Sequence, residues 1–115
     1  MVLQTKYGTI DISSDVIAGI VNVCANNCYG VRGIAGKSKP DGIIGLLRRE
    51  SYKQGIKIEK LEDCVNIELH IVVRHGVNIA AVGNSIISEI RYNVERMTGV
   101  TVGKVDICVD SIMTD

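Results

Sequence analysis

The stretch from Ile67 to Val105 constrains the fold more than any other. It reads as strand, glycine turn, long helix, glycine stop, strand. Val65, Ile67, Leu69, Ile71 and Val73 share one face of a long strand. Asn66, Glu68, His70 and Arg74 share the other, with Val72 among them. One packed face and one wet face is the pattern of an antiparallel sheet covered on a single side. Gly76 ends the strand, and Asn78 is placed to cap a helix whose apolar stripe is Ile79, Val82, Ile86, Ile87, Ile90, Val94 and Met97. Gly83 lies on that stripe, where a missing side chain predicts close approach to the sheet. Gly99 is a helix stop. The final strand turns Val105, Ile107 and Val109 inward. Val100 and Val102 have the opposite parity, which predicts a bulge or a strand start at Gly103.

The upstream chain reads as cover and extension of this unit. Residues 2–12 are extended and interrupted at Tyr7-Gly8, with Ile10 and Ile12 facing in. Ser13 or Ser14 supplies a hydroxyl N-cap, and Asp15 sits in the first turn, where the helix dipole favours a carboxylate. The helix runs to about Asn27 on a stripe of Ile17, Ile20, Val21, Cys24 and Cys28. Val31–Ile34 reads as a short strand or extended loop. Residues 35–42 form a glycine-rich, basic loop with the only proline, Pro40. Asp41 caps a short helix through Ile43, Ile44, Leu46 and Leu47, which ends in Arg48, Arg49 and Lys53 before Gly55. Ile56–Ile58 alternates as a strand, and Leu61–Asp63 is the turn that follows. The order is β-α-(β)-α-β-β-α-β. We therefore expect an α+β, two-layer sandwich: a mostly antiparallel mixed sheet covered on one face by two main helices, plus a short third helix.

At 115 residues the chain fits one domain spanning 1–115. It has neither Trp nor Phe, so the core is aliphatic, and there is no platform on which bases would stack. Charges balance at 13 basic against 13 acidic, but unevenly. Arg32 to Lys60 holds eight basic and three acidic residues, a net +5, and the remainder carries −5. This cationic segment is the main electrostatic clue. The N-terminus lacks the pattern of a signal peptide. No run approaches the roughly 18 apolar residues of a membrane span. Cys24, Cys28, Cys64 and Cys108 lack C-x-x-C spacing and read as reduced cytosolic thiols.

Motifs that would carry chemistry are weak. Gly30 to Ser38 departs from a phosphate-binding loop, because position 31 is Val and Pro40 follows Ser38. Gly30-Val-Arg-Gly33 matches the G-x-x-G of KH nucleic-acid domains, which needs a helix on both sides. Cys24 and Cys28 with His70 and His75 would offer four zinc ligands, but the cysteines lie on the core stripe, where a free thiol packs as a small hydrophobe. The pairs Glu62/Asp63 and Asp106/Asp110 read as a turn and an outward strand face. No nucleophile, base and orienting group assemble. We expect no catalytic residue, no cofactor and no metal. Ile43–Lys53 would suit an anionic membrane surface; docking on the sheet edge with the basic end solvated is the favoured reading.

At Tyr7–Ser13, Gly30-Val31, Gly55–Ile58, His75–Ile79 and Met97–Val109 the chain resembles the alkaline shock protein family of Gram-positive bacteria, the envelope stress response proteins. The match spans nearly the full length. The chain departs in having Cys28-Tyr29 before Gly30-Val31, where acidic or small residues are usual. It also ends just after the last strand, without the long charged tail of some members. The resemblance implies a cytosolic, non-enzymatic domain that self-associates. Some members are held near the membrane by a separate membrane-anchored partner and bear on cell-envelope homeostasis. It carries over no catalytic residue.

The resulting expectation is a scaffold or adaptor that forms a homo-oligomer and binds a protein partner, cytoplasmic or peripheral at the membrane through that partner. Its contact surface is expected at Arg32, Lys37, Lys39, Arg48, Arg49 and Lys53. The alternative is a nucleic-acid-binding module that uses the basic segment 32–60.

Overall fold

The computed structural model describes residues 1–35 and 55–114. Its elements are β1 (Val2–Thr5), β2 (Gly8–Asp11), α1 (Ser14–Asn26), β3 (Val31–Ile34), β4 (Ile56–Lys60), β5 (Val65–Arg74), α2 (Ile79–Thr98) and β6 (Val102–Met113). The fold is α+β, as the periodicities require. The expected loop at 36–42 and the short helix Ile43–Lys53 lie outside the described residues.

Strand β5 is the axis of the main sheet. It pairs in parallel with β6 along its whole length, Val65 opposite Val102 and Arg74 opposite Met113. A strand has two edges, so β3 and β4 share the other one. Both are antiparallel to β5: β4 faces Val65–Leu69 and β3 faces Ile71–Val73. The sheet is therefore mixed. Its parallel pair is joined by α2, the connection that a parallel crossover needs.

Burial along β5 follows the predicted alternation. Val65, Ile67, Leu69, Ile71 and Val73 are all buried, while Asn66, Glu68, His70 and Val72 are half-buried and Arg74 is exposed. Burying each of the five contributes about 1.5–3 kcal/mol. They meet Ile17 and Val21 of α1 and Ile86, Ile90 and Val94 of α2 in one aliphatic core. Both helices thus cover one face, and among the described residues no element covers the opposite one.

Helix α2 begins as predicted. The Asn78 side-chain oxygen accepts from the Ala81 amide at 2.9 Å, satisfying a first-turn donor. It ends at Gly99, which adopts φ +80° and donates to the Glu95 carbonyl. The buried stripe is narrower than predicted. Val82, Ile86, Ile90 and Val94 are buried, but Ile79 and Met97 at its two ends are exposed. Gly83 makes no close approach, since a Cβ there would meet nothing within 4 Å.

Helix α1 is rotated from its predicted stripe. Ile17, Ala18, Val21 and Ala25 are buried, while Ile20, Cys24 and Cys28 are half-buried. The buried line runs through the two alanines, while Ile20, Cys24 and Cys28 line the groove between α1 and α2. The Ser13 hydroxyl makes no capping bond; its carbonyl accepts from Val16 N instead.

The first two strands form a separate two-stranded sheet, with Leu3 opposite Ile10. Ile10 does not face the core: it is exposed, because this hairpin lies outside the main sheet, whereas Ile12 packs against the core edge.

The bulge predicted at Gly103 is present. Val65 pairs with Val102 and Ile67 with Val105, so two residues of β6 oppose Asn66 alone. The extra residue reverses the parity and lets Val102 and Val105 both be buried. A Cβ on Gly103 would come within 2.6 Å of the Asn66 side-chain oxygen, which accepts from the Lys104 amide at 2.9 Å. Arg91 of α2 donates to the carbonyls of Val102 and Gly103 at 2.6 and 3.0 Å. Glu95 accepts from the Val102 amide at 2.9 Å. Two α2 side chains thus hold the start of β6.

Candidate functional site

The expected basic surface is only partly placed. Arg32 is on β3 and exposed. Lys37, Lys39, Arg48, Arg49 and Lys53 lie outside the described residues. Both flanks of that segment are fixed at one point: the Ala35 amide donates to the His70 carbonyl, and the His70 amide donates to the Gly55 carbonyl, each at 2.8 Å. The segment therefore leaves and rejoins the sheet at the middle of β5. Gly33 of the G-x-x-G match lies inside β3, opposite Val72. A strand there is incompatible with a nucleotide clamp between two helices.

Among the described residues, two surfaces stand out. The first is a groove of about 610 Å³ on the outer side of the helical layer, between α1 and α2. Its walls combine Val16, Ile20, Val23 and Tyr29 on the α1 side with Met97 on α2. Val16, Val23, Tyr29 and Met97 are all at least half exposed, so four exposed apolar side chains meet in this groove. Cys24 and Cys28 also line it, with Asn27, Ser85, Glu89 and Asn93 as polar residues. Burial, together with the Glu89 carboxylate, pushes both thiols up. A raised thiol pKa disfavours the thiolate, the nucleophilic form.

The second surface is the open face of the sheet, with His70 at its centre. His70 Nδ1 lies 3.1 and 3.2 Å from the two Asp110 oxygens, and Nε2 lies 2.8 Å from a Glu68 oxygen. Hydrogen bonds to Asp110 first and Glu68 second raise the His70 pKa above its ordinary value. Glu68 and His70 share a face two residues apart on β5. Cys108 is opposite His70 on β6. Asp110 is brought in by a second bulge: Ile71 pairs with Val109 but Val72 with Ser111. Asp110 is the unpaired residue between them, and a bulge is a means of re-aiming a side chain.

Glu68, His70 and Cys108 each present one ligand atom, all within 4.8 Å of one another. Burial first, then the Glu68, Asp110 and Asp106 carboxylates, push the Cys108 thiol up. That is the opposite of an activated nucleophile.

This cluster was hidden in the sequence. Cys24, Cys28 and His70 do not gather: the two cysteines line the helical groove, and His70 is on the open sheet face. The shared parity of Asp106, Cys108 and Asp110, opposite to Val105, Ile107 and Val109, puts them on the wet face. Nothing local aligns Cys108 with His70. Among the described residues, no helix is long and apolar enough to cross a membrane.

The profile of the alkaline shock protein 23 family, a family with a cell envelope-related function, matches residues 2–114. An uncharacterised Bacillus subtilis protein, YloU, is 34% identical over 111 residues, 96% of this chain and 92% of its own length. An uncharacterised protein of Streptococcus pyogenes is 33% identical, with the same coverage. A Streptococcus pyogenes homologue of the stress response regulator gls24 is 28% identical over 93% of this chain and 60% of its own. No solved structure matches.

Proposed function

The chain belongs to the alkaline shock protein family of cell envelope-related function, and on that premise we propose that it is a non-enzymatic adaptor of the envelope stress response. It binds a protein partner at the cytoplasmic side, through the groove between α1 and α2. The observation that carries this reading is the concentration of exposed apolar side chains there: Val16, Val23, Tyr29 and Met97. An exposed apolar patch rimmed by polar residues is the usual mark of a protein-binding surface. Glu89 is the charged residue of the groove. The matching partner is an amphipathic helix with an apolar stripe and a basic residue opposite Glu89. The kinship with a stress response regulator homologue supports the stress context.

Arg32, Lys37, Lys39, Arg48, Arg49 and Lys53 form a second, charged contact in this reading, for a partner or for the anionic membrane periphery. Self-association into a homo-oligomer completes it.

The test is affinity capture from native lysate, with and without nuclease, using wild type, Val23→Glu/Met97→Glu and a charge-reversed basic segment. Both groove substitutions are at exposed positions, so the fold tolerates them. A membrane protein or envelope factor captured by wild type and lost with the groove variant supports the adaptor. Capture unaffected by the groove variant overturns the groove. Partners that vanish with nuclease, and bind with an affinity falling steeply as salt rises, would favour the nucleic-acid module instead.

A further inference from the structure

We propose that the open sheet face holds a divalent transition-metal ion of the zinc class, with Glu68, His70 and Cys108 as ligands and Asp110 orienting the histidine. The argument begins with donor chemistry. A carboxylate oxygen, an imidazole nitrogen and a thiol sulfur together suit a borderline ion such as Zn²⁺ over Mg²⁺ or Ca²⁺, which take oxygen ligands alone.

Geometry agrees. With metal–ligand bonds of about 2.0–2.3 Å, the ligands of a tetrahedral zinc stand roughly 3.3–3.8 Å apart. The three ligand atoms already lie within 4.8 Å of one another, so side-chain adjustments of about 1 Å complete the site. The positions are held by paired strands: Glu68 and His70 on β5 and Cys108 directly across on β6. All three are half-buried, which restricts their motion and leaves an approach from solvent.

The second, independent feature is Asp110. Its carboxylate engages His70 Nδ1. A carboxylate on one ring nitrogen fixes the proton there and frees the other for metal, the arrangement that supports metal-bound histidines generally. The other ring atom, Nε2, meets Glu68, and it becomes a ligand when metal takes the place of the proton between them. A bulge puts Asp110 in this position.

Charge agrees as well. Glu68, Asp106 and Asp110 surround the cysteine, and a dication would offset their mutual repulsion. Binding Zn²⁺ displaces to solvent both the thiol proton and the proton held between His70 Nε2 and Glu68, leaving a thiolate, an imidazole and a carboxylate as ligands. Three protein ligands leave one coordination position for water or a group of another molecule. None of this depends on the helical groove, so the two proposals stand or fall separately.

The full chain, stripped with chelator, is titrated with Co²⁺ as the spectroscopic probe and with Zn²⁺ in competition. The expected result is saturation at one equivalent with a thiolate-to-cobalt charge-transfer band, bleached by Zn²⁺. Cys108→Ser abolishes the band. His70→Ala weakens binding at least about tenfold, and Asp110→Asn by about 10–100-fold while keeping the band. Cys24→Ser/Cys28→Ser and Cys64→Ser leave both unchanged. Circular dichroism of each variant confirms the fold. Absence of saturable binding, or a band that survives Cys108→Ser, overturns the proposal.

Discussion

The two faces of β5 are one residue apart in sequence and differ in almost every physical respect. The face of Val65, Ile67, Leu69, Ile71 and Val73 is sealed beneath both helices. The face of Asn66, Glu68, His70 and Val72 is half-buried and holds carboxylates around an imidazole. The first supplies stability through aliphatic burial and has little freedom to vary. The second contributes little to stability and is therefore free to hold charged groups. A sheet covered on one side separates these tasks, because neighbouring side chains of a strand point to opposite faces.

The largest test of that contrast is a pair of adjacent substitutions. Ile71→Ala opens a cavity in the sealed face and should cost about 2–5 kcal/mol. Val72→Thr on the open face should cost no more than about 1 kcal/mol. Urea unfolding midpoints measure both, and equal losses would mean that the open face is packed too.

Next is the bulge that keeps β6 in phase with the covered face. Gly103→Val drives a Cβ into the Asn66 side-chain oxygen at 2.6 Å and should cost about 1–3 kcal/mol. A melting temperature equal to that of wild type would show that the bulge tolerates a side chain.

The cover itself is tested at its start. Asn78→Ala removes the bond accepted from Ala81 N and should cost about 1 kcal/mol. Ser13→Ala, where no side-chain cap bond forms, should cost only a few tenths. Thermal melts of the two variants compare these helix starts directly.

The smallest effect belongs to the open face. The His70 pKa is raised in the folded state from an ordinary value of 6.5 by Asp110 and Glu68. Its stabilisation is therefore fully present below about pH 6.5 and is lost as pH rises through the folded value. Lys57 on β4 and Asp106 on β6 are the other charged groups across from Glu68. In chelator-treated protein, wild type should exceed His70→Gln in melting temperature at about pH 6, and the gap should close toward about pH 8. A gap independent of pH would sever His70 from its carboxylates.

The legible parts of the fold rest on local rules. The alternation of β5, the Asn78 start and Gly99 stop of α2, and the parity change at Gly103 are all readable within about twenty residues. Misreadings occurred where neighbours in space mattered. The stripe of α1 turned onto Ala18 and Ala25, which count little in a hydrophobic pattern. Ile10 alternates like a core residue but belongs to a hairpin outside the main sheet. Gly83 sits on an apolar stripe without any neighbour to demand it.

Among the described residues, the sequence by itself determined most of the secondary structure, the face of the sheet that the helices cover and the aliphatic core, because side-chain period and capping act over a few residues. Only the tertiary structure decided which strands pair and in what register. Those pairings set Cys108 against His70, aimed Asp110 at the same ring 40 positions away, and brought Val23 and Met97 to one groove. No local pattern encodes them. Such contacts form only when hydrophobic burial over the whole chain offsets the entropy of closing long loops.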